Sequence, residues 1–353
     1  MEDYGSDKKR AVTAKLDAQK LAFGPIMFQA AKALRDFGIL NYLLKNKKAS
    51  VETIAKELNI SVYGTKVLLE AGLSIEVVML RDNEYILTKT GYFLISDELT
   101  KVNMDFTHDV NYLGFFKLQE SIKNGKPEGL KVFGEWNTVY EGLSQLPEKV
   151  QESWFGFDHY YSDTSFPELM EIIFNENPKS FLDVGGNTGK FSLKTTDYNN
   201  DVKITILDHP GQTKVARENI KKAGKENRIS TVDVNLLDNN IPFPKGFNAI
   251  WMSQFLDCFS QEEILGLLTR AYNAMDENSS LFILELFWDM QAYEASTYTL
   301  HATSLYFTVM ANGNSQMYHS EDMLKLIDKA GLKVDKIYNN IGVSHTLVKC
   351  KKK

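Results

Sequence analysis

Four residues of the segment "FLDVGGNTGKFS" have the spacing of a ligand-binding turn: Asp183, Gly185, Gly186 and Gly189, in the pattern D-x-G-G-x-x-G. Glycine lets the backbone bend sharply and approach a ligand with no Cβ in the way. A dinucleotide fingerprint spaces its glycines differently and sets a diphosphate on a helix N-terminus. This turn opens with an aspartate, which suits a ligand carrying an ammonium group. A second acid, Asp208 in "ITILDHP", follows ~20 residues on, where a carboxylate can accept hydrogen bonds from a ribose diol. The pair describes a site for a nucleoside with an amino-acid head, which is the chemistry of S-adenosylmethionine (SAM). The rival reading of Asp208 is a cap on the following helix.

A second constellation lies in "QFLDCFSQEE", between the apolar run "AIWM" and the amphipathic stretch "ILGLLTRAYNAM". That layout is strand, turn and helix start, and its polar members are Asp257, Cys258 and Ser260. Cys258 has no basic neighbour to lower its thiol pKa, which argues against a nucleophile. A third stretch, "SWFGFDHYYSDTSF", concentrates Trp154, Phe155, Phe157, His159, Tyr160, Tyr161 and Phe166. Flat rings contribute large area and orient aromatic ligands by stacking; the alternative is a core hinge between domains.

The elements that must position these residues follow from periodicity. From Ser180 the runs "SFLDVGG", "KITILD", "ISTVDV", "NAIWM", "LFILEL", "KVDKIY" and "HTLVKC" alternate with helical patterns. That alternation predicts an α/β fold, a Rossmann-like domain with a seven-stranded and mostly parallel sheet. The last two runs have no helix between them and predict an antiparallel edge strand. Before Pro178 the chain reads as helical. "FGPIMFQAAKALRDFGILNYLL" carries an apolar stripe for a core or a partner subunit. "ASVETIAKELNISVYGTKVLLEAGLSIEVVMLRDNEYILTKTG" reads as helix, turn, helix and β-hairpin, a winged-helix arrangement. Its second helix, from Ser61 to Ala71, offers Lys66 as its base against Glu70, too little charge to neutralise phosphates. The expected division is a winged-helix dimerisation domain over 1–100, an aromatic helical linker and substrate region over 101–177, and a SAM-binding domain over 178–353.

The 353 residues carry a net charge of -6, against a general nucleic-acid binder. No apolar run approaches the ~20 residues a membrane span needs, and the N-terminus has no secretory core. Cys258 and Cys350 form no metal or redox spacing, so no metal is expected and a cytoplasmic location is.

In order and motif the whole chain resembles the plant-type small-molecule O-methyltransferases, the class I SAM-dependent group containing the caffeate and hydroxyindole enzymes. "FDHYYSDTS" is similar to that family's F-N-x-x-M-S-D-x-S, "DVGGNTG" to D-V-G-G-G-x-G, and "LDHP" to F-D-L-P. The resemblance implies a homodimer that binds SAM, releases S-adenosylhomocysteine (SAH) and methylates a small aromatic acceptor at a hydroxyl oxygen. It implies that Phe157 and Tyr161 line the acceptor and that Ser165 touches the cofactor; the aromatic stretch read as a ligand wall adds Trp154 and His159 to the acceptor side. Asp183, the three glycines and Asp208 are implied in cofactor binding as well.

Two departures concern the cofactor: Asn235 stands where the family has an adenine-binding acid, and Ser253 where it often has a base. The third is chemical. Matched to L-H-D-W-S-D-E, Asp257 occupies the place of the histidine that removes the acceptor's proton. Of the two glutamates that steer that histidine, one matches Glu285 and the other falls near Ser315. An ordinary aspartate, pKa ~3.9, is a poor base for a phenol, though burial would raise it. Several readings stay open: Asp257 as base, His159 or His301 as base, methyl transfer by alignment alone, or a SAM-binding regulator that has lost its reaction.

Overall fold

The computed structural model describes Tyr4 and residues 6–163 and 165–353. Two compact units divide between Val110 and Asn111. No helix among the described residues is long and apolar enough to cross a membrane.

In the N-terminal unit, helices Val51–Glu57 and Val62–Ser74 start where serines cap them: Ser50 Oγ accepts from the Thr53 N–H and Ser61 Oγ from the Gly64 N–H. Strands β1 (Lys48–Ala49), β2 (Val78–Arg81) and β3 (Glu84–Leu87) form an antiparallel sheet in the order β1-β3-β2. The wing turns through Asp82 and Asn83, both left-handed at φ 52° and 60°. Two consecutive positive φ values make a type I′ turn, whose twist matches the flanking strands. A core of Leu34, Ile39, Leu40, Leu43, Ile54 and Leu69 closes the unit. The helix Ala11–Ala22 adds no buried residue to it; Val12, Leu16 and Leu21 are exposed.

The second unit carries the seven-stranded sheet: β4 (Ser180–Val184), β5 (Lys203–Asp208), β6 (Ile229–Asp233), β7 (Ala249–Ser253), β8 (Ser280–Glu285), β9 (Leu332–Ile341) and β10 (His345–Lys352). Their order is β6-β5-β4-β7-β8-β10-β9. The first five are parallel, and β10 is antiparallel to both β8 and β9. This corrects one expectation: the antiparallel strand is not the edge. β10 sits inside the sheet and β9 takes the edge. β8 is buried at every position, as a strand covered on both faces must be. Alternating side chains feed two cores. Leu182, Val184, Ile250 and Met252 meet Ile264 and Leu268 of the helix Gln261–Ala274 in one. Phe181, Trp251 and Phe282 meet Phe191 and Leu169 in the other, where the Phe191 and Trp251 rings stack 4.3 Å apart.

β5 lies on one side of β4 and β7 on the other, so the order in which strands are added across the sheet reverses at β4. In open α/β sheets that switch point opens a crevice for ligand.

Candidate functional site

A cavity of about 560 Å³ opens at the switch point, entirely within the second unit. One half is built from strand ends. Gly185, just past β4 at φ 75°, donates its N–H to the Leu207 carbonyl at 2.8 Å. A Cβ there would stand 2.3 Å from the Phe255 ring, and one at Gly186 would stand 2.8 Å from Asp183 Oδ2. Asn187 sits at φ 49°, a conformation that asparagine tolerates better than most residues. Its N–H donates to Asp208 Oδ2 at 2.8 Å, and the His209 N–H donates to Oδ1 at 2.6 Å. Burial pushes the Asp208 carboxyl up while those two donors pull it down. The helix Pro210–Lys222 begins from His209 with no side-chain cap, so Asp208 does not cap it and lines the cavity instead. Asp183, 2% exposed, lies beneath the turn and accepts from the Ser192 hydroxyl at 2.7 Å. Burial raises it to about 7 against that hydrogen bond.

The other half is aromatic. On the helix Glu148–Asp163, Trp154, Phe157, Asp158 and Tyr161 stand at intervals of three and four residues and so share one face. All four line the cavity. Trp154 Nε1 donates to the Tyr306 hydroxyl at 2.7 Å, and the Phe157 and Tyr161 rings lie 5.0 Å apart.

Between the halves a short turn, Leu256–Cys258, presents Asp257, 6% exposed and lining the cavity. Burial raises the carboxyl to about 7; the Cys258 thiol hydrogen bond lowers it, and the Asp158 charge raises it further. Tyr140 Oη donates to Cys258 Sγ at 3.1 Å, and Sγ contacts Asp257 Oδ1 at 3.5 Å. Burial and the adjacent carboxylate push the Cys258 thiol far up, the reverse of what a nucleophile needs. Ser260 has a structural duty: its hydroxyl and Glu263 form a capping box at the start of Gln261–Ala274.

Glu285 does not line the cavity. It is 1% exposed at the end of β8, and its Oε1 accepts from the Phe255 N–H at 3.1 Å and the Leu256 N–H at 2.8 Å. It therefore fixes the backbone that carries Asp257, and burial followed by the Asp257 charge holds its own carboxyl well above the usual range. Ser315 braces the same turn from the other side. Its hydroxyl donates to Asn312 Oδ1 at 2.9 Å, and Asn312 Nδ2 donates to the Cys258 carbonyl at 2.6 Å.

Of the residues singled out from sequence, Gly185, Asp208, Asn235, Asp257, Trp154, Phe157 and Tyr161 meet at the cavity. Asp183, Gly186, Gly189, Ser165 and Ser253 stand behind its wall; Ser165 is fully buried. The histidines require correction. His301 is exposed with its ring 4.9 Å from Trp288, and His159 turns toward Phe155 at 5.8 Å; neither lines the cavity. Sequence reasoning missed Asp158, Tyr140, Gln254, Tyr306 and Asn312, which do. The Trp154–Phe157–Asp158–Tyr161 spacing was a usable signal for Asp158.

Two families match the chain: the Dimerisation2-like domain over residues 15–85 and the O-methyltransferase domain over residues 116–333. The chain belongs to the O-methyltransferase family. It is an SAM-dependent methyltransferase behind an N-terminal dimerisation-type domain. Among curated relatives, the L-tyrosine C(3)-methyltransferase of Streptomyces lavendulae is 25% identical over 327 residues, covering 90% of this chain and 87% of the relative. Among solved structures, the SAM-dependent methyltransferase SibL is 22% identical with a TM-score of 0.73, covering 94% of this chain and 98% of SibL. The O-methyltransferase NcsB1, solved with SAM and 2-hydroxy-5-methyl naphthoic acid, is 17% identical with a TM-score of 0.66, covering 92% and 96%. Both structures share the fold of this methyltransferase.

Proposed function

We propose that this methyltransferase transfers a methyl group to a hydroxyl oxygen of a small aromatic acceptor, with Asp257 as general base. The observation that carries the reading is a single cavity joining the Gly185–Asp208 half, the aromatic wall and Asp257. The residues fit the cofactor: a Cβ at Gly185 or Gly186 would fill the cradle, and Asp208 presents a carboxylate anchored by two backbone N–H groups. Asp208 would hold the ribose, Asn235 the adenine rim, and Asp183 with Ser192, Gly189, Ser253 and Ser165 would support the amino-acid end. When bound, SAM supplies an electrophilic methyl group.

The chain does the rest. Trp154, Phe157 and Tyr161 orient the acceptor ring by stacking and exclude water. Glu285 fixes the turn, so the Asp257 carboxylate meets the acceptor without reorganising. With its pKa lifted by burial, Asp257 takes the hydroxyl proton as the new oxygen–carbon bond forms and becomes the neutral acid.

We assign the acceptor region to 101–177 and the cofactor region to 178–353. We assign subunit association as a homodimer to 1–100, supported by the exposed apolar side chains of Ala11–Ala22. Two free cysteines suit a reducing cytoplasm. The test is SAH release when the purified chain meets SAM and a set of small phenols. Acceptor-dependent SAH with an O-methylated product is expected; binding of SAM without turnover of any phenol overturns the reading.

A further inference from the structure

The turn that carries Asp257 is pinned from several sides. Glu285 Oε1 accepts from the Phe255 and Leu256 N–H groups. Asn312 Nδ2 donates to the Cys258 carbonyl at 2.6 Å, and the Tyr318 hydroxyl donates to the Phe259 carbonyl at 2.6 Å. On this fixed backbone the Cys258 sulfur stands between a phenol and a carboxylate. Tyr140, on the short helix Val139–Gly142, donates its O–H to Sγ at 3.1 Å, and the thiol donates to Asp257 Oδ1 at 3.5 Å. All three side chains line the cavity.

The direction of these bonds decides their effect. A thiol has one proton, and a phenol donating to its sulfur leaves that proton to point away, toward the carboxylate. Bonds in such a chain polarise one another, so the first strengthens the second. Burial and then the Asp257 charge push the thiol far up, and burial and then the Cys258 sulfur do the same to the phenol. Both keep their protons while Asp257 titrates, and both serve as donors. Asp257 also accepts from the backbone N–H groups of residues 257 and 258. The acids facing it are Asp158 on the aromatic helix and Glu285 on β8, with the phenols of Tyr306 and Tyr318 beyond.

We propose that Tyr140 and Cys258 are positioning residues for the proton-transfer step: the phenol aims the thiol, and the thiol holds the Asp257 carboxylate in one orientation toward the acceptor. The inference rests on Asp257 as the base and deepens that reading. Donation favours the ionised carboxyl, the form able to take a proton. Cys258 thus serves through the proton it keeps, the opposite of a nucleophile.

The experiment is infrared spectroscopy of the full chain, saturated with SAH, over about pH 5 to 9, the span in which a raised carboxyl titrates. The S–H band, clear of other protein bands, has two contributors, Cys258 and Cys350; Cys258→Ala identifies the first. That band should move as Asp257 ionises and move again in Tyr140→Phe, while the Cys350 band stays in place. The Asp257 midpoint is read from the carboxyl band that Asp257→Asn removes. Cys258→Ala should raise it by about half a pH unit, the loss of one weak donor beside two backbone ones. Tyr140→Phe should raise it by less, and by nothing once Cys258 is alanine. A Cys258 band indifferent to pH and to Tyr140→Phe overturns the proposal. So does an unmoved midpoint in Cys258→Ala, or a Tyr140→Phe shift of equal size in both backgrounds. Midpoints that move as expected, while single-turnover rates on a phenol the chain methylates keep the wild-type pH limb, would instead refute Asp257 as base.

Discussion

Replacing Asp257 with asparagine separates catalysis from folding. The wild-type carboxyl is raised to about 7 by burial, and only its ionised form can take a proton. A group of that pKa is roughly one-tenth ionised at pH 6 and nine-tenths at pH 8, so kcat should climb about tenfold between them and then level. Asparagine accepts no proton, and loss of a positioned base typically costs about 10²–10⁴ in rate. Stability should move the other way. The folded chain holds this proton more tightly than the unfolded chain, whose aspartate titrates at about 3.9. The stability so conferred is complete below that value and is lost as pH rises through about 7. Asp257→Asn, which carries no charge to desolvate, should therefore gain stability relative to wild type between pH 5 and pH 8. Single-turnover rates and urea unfolding at four pH values read both effects. A variant with near-normal kcat, or one that keeps the wild-type pH limb, would refute Asp257 as base.

Asp208→Ala should weaken SAM and SAH by about 10²-fold or more, since two charge-assisted hydrogen bonds are lost; unchanged calorimetric affinity would remove Asp208 from the site. Gly185→Ala puts a Cβ at φ 75° and 2.3 Å from Phe255, a cost of about 2–5 kcal/mol from left-handed strain and overpacking. It should lower the melting temperature and abolish SAH binding, and a wild-type melt would contradict the crowding. The double variant Leu16→Asp with Leu21→Asp places charge on an exposed apolar helix. It should convert the dimer to a monomer by light scattering without loss of helical signal; a persisting dimer would place the interface elsewhere.

The glycine turn and Asp208 were legible because backbone sterics and a fixed strand-to-strand spacing leave local traces. The seven strands were legible for the same reason, as was the wing turn at Asp82-Asn83. Spatial order was not: nothing local in "HTLVKC" says that β10 inserts between β8 and β9. His301 was misplaced because a helical period gives faces but not which face meets the cavity, and the ring of Trp288 that receives it comes from another element. Glu285 was assigned to steering a catalytic side chain, whereas its hydrogen bonds go to the backbone of residues 255 and 256. Asp158 was overlooked among its aromatic neighbours, although its spacing from Trp154 marked it.

The inner position of β10 bears on how the sheet is completed. β8 and β9 share no ladder, so β9 cannot join the sheet until residues 345–352 have arrived between them. Until then β8, whose inner positions Leu281–Leu284 are all apolar, presents an open row of N–H and C=O groups. Such an edge is a template for pairing with another chain. Folding is thus gated by a strand late in the sequence, and a nascent or clipped chain is a candidate for chaperone capture or aggregation.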